Sequence, residues 1–156
     1  MPINTKESYI EIGYNINANN ELSNSIKIPA PHTLTSAPQF LSDAGRNADG
    51  TMILQQISRP MITLHMGWAT MPSEMHWKIN RWFEKYGIVC WIKFFDQNTG
   101  TVKIQRFYRG QTAEVTPSSE QKIVDGYLIP KYYIDYALSF IDMGEKDVKV
   151  IKTLGV

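Results

Sequence analysis

Residues 71–87 read "MPSEMHWKINRWFEKYG" and residues 88–95 read "IVCWIKFF", and the change of period between the two decides the fold class. In the first stretch Met75, Ile79, Trp82, Phe83 and Tyr86 fall at i, i+4, i+7, i+8 and i+11, an apolar stripe at the helical repeat. Ser73 or Thr70 is placed to cap its start, and Gly87 stands where helices commonly end. Glu74 precedes Lys78 by one helical turn, the favourable order for an ion pair on a helix surface. The spacing predicts one helix over about residues 72–87. The second stretch is apolar on nearly both faces, as a central strand requires.

On either side of that junction the period is two. In "MITLHMGWA", Ile62, Leu64, Met66 and Trp68 face one way while Thr63 and His65 face the other. The preceding "TMILQQI" has Ile53 and Ile57 on the opposite parity, and a bulge or break near Pro60 reconciles the two. Downstream, "DQNTG" at 96–100 reads as a turn between strands, so "IVCWIKFF" and "TVKIQRFYRG" form a hairpin. The segment "QTAEVTPSSEQKIVDGYLIP" reads as a loop. In "KYYIDYALSFIDM", Ile134, Tyr136, Leu138 and Phe140 share one strand face. Pro29, Pro31 and Pro38 limit residues 26–39 to extended or edge structure. These signals predict a mainly β (α+β) domain: an antiparallel β-sandwich or half-open barrel of five to seven strands with one flanking α-helix.

The ends read differently. Residues 1–25 combine a short alternating piece, Ile10, Ile12 and Tyr14, with an Asn- and Ser-rich connector, and are expected to be an arm that finds its partner on a neighbouring subunit. Residues 26–143 form the expected β domain, and 144–156 an extension, either a short strand or a second arm. The arm's "MPINTKESYIEIGY" has neither the basic start nor the apolar run of a signal peptide. No run approaches the roughly 18 apolar residues of a membrane helix, so no membrane anchor is expected.

With 16 basic and 15 acidic residues the net charge is +1, which argues against nucleic acid as the main partner. Cys90, the single cysteine, excludes an intrachain disulfide and is expected to be buried and inert. His32, His65 and His76 are scattered over three segments without metal-ligand spacing. Asp96 and Asp142 each lie beside a turn, where carboxylates accept from backbone amides. No nucleophile elbow is present, and neither a catalytic set, a cofactor site nor a metal site is expected.

"GRNADGTM" at 45–52 offers the one glycine-bearing acidic run. It lacks the spacing and following helix of a phosphate loop, and Gln56 stands where a calcium loop wants a carboxylate. Asp49-Gly50 is a tight-turn signal, so Arg46, Asn47, Asp49 and Gly50 are read as a turn that also serves as a subunit contact. Trp77 lies off the helix stripe and Trp91 opposite the Cys90 face, and with Tyr132 and Tyr133 they suggest a protein interface. Ile10, Ile12, Tyr14 and Trp77 are the candidate interface residues. A carbohydrate-binding module with Trp77, Trp91 and Tyr133 as a stacking platform is the alternative from a different class.

The run "APQFLSDAGRNADGTMILQQI", then "WIKFFDQNTGTVKIQRFYRGQ" and finally "LSFIDM" resembles a group of small tail proteins of long-tailed phages and prophages of Gram-positive bacteria. The likeness rests on Asp43, the run from Arg46 to Met52, the turn at 96–100, "FYRG" from Phe107 to Gly110 and the closing strand. It implies a virion structural role in the distal tail and baseplate or the tail tube, with a head-proximal tail-completion protein as the alternative. The resemblance also implies hexameric rings, arms reaching neighbouring subunits, contacts with adjacent tail proteins, and passive passage of DNA through the lumen as an open point. Synthesis in the host cytoplasm and residence in the phage tail follow from the same likeness.

Overall fold

The structure is a computed structural model and describes residues 10–31, 33–39, 42–46, 52–56, 61–110, 115–144 and 148–155. The strands in chain order begin with β1 (Ile10–Ile16), β2 (Leu22–Ile28), β3 (Thr33–Gln39), β4 (Ser42–Arg46), β5 (Met52–Gln56) and β6 (Met61–Pro72). The single helix of the described residues, α1 (Ser73–Tyr86), follows, then β7 (Val89–Asp96) and β8 (Thr101–Arg109). The chain continues through β9 (Thr116–Pro117), β10 (Gln121–Val124), β11 (Tyr127–Pro130), β12 (Tyr132–Asp142) and β13 (Lys149–Thr153). The protein is mainly β, and its ladders are antiparallel.

The main sheet runs in the order β2-β1-β7-β8-β12-β6-β3, with β13 added to β8 and β9 to β12. Its two outermost strands, β2 and β3, are consecutive in sequence and joined by residues 29–32 alone. Seven strands laid flat would separate the outer pair by roughly 29 Å, whereas a link that short reaches less than about 20 Å. The sheet therefore curls until its edges meet. Trp68 on β6 donates its Nε1–H to the Pro29 carbonyl at 3.0 Å, which ties the two sides together. A half-open barrel results, and α1 crosses from the end of β6 to β2, where Trp82 Nε1–H donates to the Asn24 carbonyl at 3.0 Å.

Alternation explains who faces inward. Ile62, Leu64, Met66 and Trp68 are all buried, as their parity predicts, while His65 is exposed. Past Trp68 the phase changes: Ala69 and Thr70 are exposed and Met71 is buried. On the partner strand Asp135, opposite Ala69 in the continuous register, has φ 49, and both Tyr133 and Tyr136 then reach the core. The helix buries Ile79, Trp82 and Phe83, with Met75 and Tyr86 partly covered, as the stripe requires.

Four expectations are corrected. Residues 10–25 are no arm: β1 pairs β2 and β7, and Ile10 and Ile12 lie 4% and 0% exposed in the core beside Ile26 and Ile28. Burying those isoleucines in the core outweighs the polar character of the Asn-rich turn that joins the two strands. Ser73 does not cap the helix; its hydroxyl donates to the Pro130 carbonyl, and Pro72 occupies the cap position. Glu74 pairs with Lys122 rather than Lys78. The segment read as a loop contains the β10–β11 hairpin, whose turn Asp125-Gly126 takes positive φ at both residues, 51 and 84.

Other readings hold. Gly87 closes the helix with φ 87, its N–H donating to the Phe83 carbonyl at 2.8 Å. Asp96↔Thr101 closes the β7–β8 hairpin over residues 97–100. The extension at the C-terminus forms β13, the short-strand alternative.

Candidate functional site

Two groups of side chains merit description: a polar cluster between helix and sheet, and an apolar surface outside it. In the cluster, α1 projects His76 and Asn80 from successive turns toward Tyr136 on β12 and Arg109 on β8. Arg109 Nη1–H donates to Asn80 Oδ1 at 2.8 Å, which turns the Asn80 amide nitrogen toward the His76 ring, 3.3 Å from Nε2. The same amide nitrogen lies 3.4 Å from Nδ1, and Nδ1 is 2.8 Å from the Tyr136 hydroxyl oxygen. The Arg109 guanidinium covers the Phe83 ring at 4.8 Å, and its buried Nε has no hydrogen-bond partner among the described residues.

The electrostatics follow from that packing. Burial lowers the His76 pKa, and the nearby Arg109 cation lowers it further, so the imidazole is held neutral. Burial pushes the Tyr136 phenol up to about 12 and the Cys90 thiol up to about 12. The expectation of an inert cysteine is met: a thiol so held carries almost no thiolate near neutral pH. The cluster has hydrogen-bonded polar groups and no carboxylate, which makes it a helix-to-sheet clamp.

The two turn carboxylates are engaged by backbone and neighbours. Burial works to raise Asp96, but hydrogen bonds from Lys103, the Asn98 amide and Thr99 outweigh it and hold the carboxyl low. Asp142 accepts from the Ile62 amide at 3.2 Å, from Gln105 Nε2 at 3.3 Å and from the Gly144 amide at 2.9 Å. Among the described residues no group of three or more His, Cys, Asp or Glu side chains is placed to hold a metal ion. No described helix is long and apolar enough to cross a membrane.

The outer surface is organised by the β10–β11 hairpin. It pairs with no other described strand and leans along α1, tied at its base by the Ser73 hydroxyl to Pro130 and by Lys122 to Glu74. Between hairpin and helix runs a groove of about 570 Å³ lined by Trp77, Asn80, Arg81 and Glu84 on one wall and Val124, Asp125, Tyr127 and Ile129 on the other. Ile123 and Leu128 sit opposite each other across the hairpin and are 72% and 66% exposed, and Tyr127 is 75% exposed. A second cleft, where the β1 and β7 ladder ends at Gly13↔Trp91, is lined by Tyr14, Asn15, Tyr86, Trp91 and Arg106. A third exposed apolar segment is β13, with Val150, Ile151 and the following Leu154 at 52%, 38% and 46%.

Of the residues singled out from sequence, Trp77 stands half-buried in the hairpin groove. Tyr14 is 47% exposed with its ring 5.0 Å from that of Tyr86, so it lies at the surface but in the other cleft. Ile10 and Ile12 are core residues, which removes them as interface candidates. Arg46 is paired with Met52 in the β4–β5 ladder, so the flanking strands run as a hairpin, while Asn47, Asp49 and Gly50 lie outside the described residues. Trp77, Trp91 and Tyr133 form no common platform: Trp77 lines the groove, Trp91 stacks under Arg106 at 5.8 Å, and Tyr133 packs on His76 at 4.6 Å. Ile123, Tyr127 and Leu128 were missed, although Asp125-Gly126 between "KIV" and "YLI" is the same hairpin signal as Asp49-Gly50.

No protein-family model matches this chain, and no curated protein matches it in sequence.

Proposed function

We propose that this chain is a ring-forming structural subunit of a phage tail, in the distal tail and baseplate or the tube, with the head-proximal tail-completion position as the nearest alternative. The observation that carries the reading is the β10–β11 hairpin, which holds Ile123, Tyr127 and Leu128 in water at 72%, 75% and 66% exposure. A lone two-stranded hairpin is marginal in water, and monomers rarely present clustered large apolar side chains, so the hairpin is accounted for by a protein partner. Sequence resemblance supplies the rest of the reading: copies of the same chain in a hexameric ring, adjacent tail proteins above and below, and DNA passing through the lumen without specific contact. On this reading the protein works in the virion after synthesis in the host cytoplasm, and its role needs neither catalysis nor a cofactor.

The test is the mass of the purified protein by light scattering across a concentration series, for the wild type and for Leu128→Asp. The expected result is a closed ring for the wild type and a folded monomer, with unchanged circular dichroism, for the variant. A wild type that stays monomeric at every concentration sinks the ring reading. A ring that survives Leu128→Asp moves the contact away from the hairpin.

A further inference from the structure

We propose that the β10–β11 hairpin of one copy is covered by the C-terminal strand β13 of the next copy, so that the contact joins two different surfaces of the same chain. The inference rests on the ring-subunit reading and names the surface that meets the hairpin.

Three observations converge on β13. First, it pairs only with β8 among the described strands, so its other edge presents unpaired backbone groups, and such an edge is a template for another chain. The ladder shifts register between Val150 and Lys152, which makes Ile151 the extra residue of a bulge. Second, β13 and the residue after it expose Val150, Ile151 and Leu154, apolar surface of the same kind as the Ile123–Leu128 pair. A hairpin that gains a third strand and a covered apolar face passes from marginal to independently stable.

Third, the charges match. Residues 148–155 carry Lys149 and Lys152 and no acidic side chain. The hairpin carries Asp125 at its turn, while Lys122 is already engaged by Glu74. Lysines flanking the apolar residues of β13 therefore meet the Asp125 carboxylate next to the exposed apolar residues of the hairpin, which fixes orientation more than it adds affinity. A contact between unlike surfaces propagates from copy to copy and closes when the rotation allows, which is the arrangement a ring requires.

The experiment uses full-length chains bearing Leu128→Cys or Val150→Cys and a thiol-to-thiol bismaleimide linker. Cys90 is buried with its thiol held protonated and does not compete. Crosslinked dimer is expected when the two variants are mixed, with little from either variant alone. Replacing Asp125 by Lys is expected to reduce the crosslinked fraction, and adding Lys152→Glu to the Val150→Cys chain to restore it. Crosslinking of the Leu128→Cys variant with itself shows hairpin meeting hairpin and overturns the inference. A ring seen by light scattering without crosslinking in the mixture overturns it while leaving the ring reading intact. Monomers throughout, with no crosslinks, overturn both.

Discussion

His76 shows how the surroundings of one side chain can be set by a distant part of the chain. A histidine between Met75 and Trp77 on a helix falls just off the apolar stripe, and nothing local requires it to be buried. Its partner Tyr136 lies 60 residues away, so the 2.8 Å contact that brings it into the core leaves no trace in the surrounding sequence. The neutral ring has a thermodynamic consequence. Its folded pKa lies below the ordinary 6.5, so the unfolded chain takes up a proton at a pH where the folded chain does not. The stabilisation is complete above about 6.5 and is lost as pH falls through that value toward the folded pKa. Asp96 acts in another window, because its lowered carboxyl costs stability only as pH falls below its ordinary 3.8. The wild-type denaturant midpoint is expected to drop between pH 7.5 and pH 5.5, and that of His76→Gln to drop less. Equal drops in the two proteins would assign the effect to other groups.

At the scale of the element, the clearest lesson concerns the N-terminal hairpin. Period-two strands at 62–68 and 134–140 were legible because alternation alone tells a strand which face to bury. The helix was legible because its stripe is long. β1 was legible as a strand, but its membership of the sheet was not: that depends on Ile12 meeting Ile92 on β7, a pairing across some eighty residues that the polar turn between β1 and β2 obscures. The β10–β11 hairpin escaped for the opposite reason, since its strands are only four residues each and Ser- and Pro-rich chain precedes them. The consequences for truncation are unequal. Removing residues 1–24 deletes Ile10 and Ile12 and strips the pairing partner from Ile26 and Ile28. Those four buried side chains contribute about 1.5–3 kcal/mol each, together comparable to a whole domain's stability of about 5–15 kcal/mol. The truncated protein is expected to lose its cooperative unfolding transition in circular dichroism. Removing residues 148–156 takes away a strand whose apolar side chains are largely exposed, and a cooperative transition is expected to remain. A folded product from the first deletion would mean that β1 adds little to the sheet.

For the molecule as a whole, closure of the barrel and outward display of the hairpin are two sides of one arrangement. The sheet curls until Trp68 reaches Pro29, α1 covers the opening, and the residues left over, Ile123, Tyr127, Leu128 and the β13 side chains, face outward. With a net charge of +1, copies of the chain neither repel nor attract one another strongly at long range. The proposed association through such surfaces would be driven mainly by apolar burial, with the lysine and carboxylate contacts setting orientation. That driving force is strengthened by sulfate, which is excluded from protein surface, and weakens on cooling. Moderate sodium chloride screens the charge contacts over about 8–10 Å but leaves apolar burial in place. The proportion of assembled protein, measured by sedimentation velocity, is therefore expected to rise with ammonium sulfate, to fall between 25 °C and 4 °C, and to change little between low and moderate sodium chloride. Assembly that dissolves in moderate salt and is indifferent to temperature would mean that charge pairs hold the copies together, and the exposed apolar residues would then require a different partner.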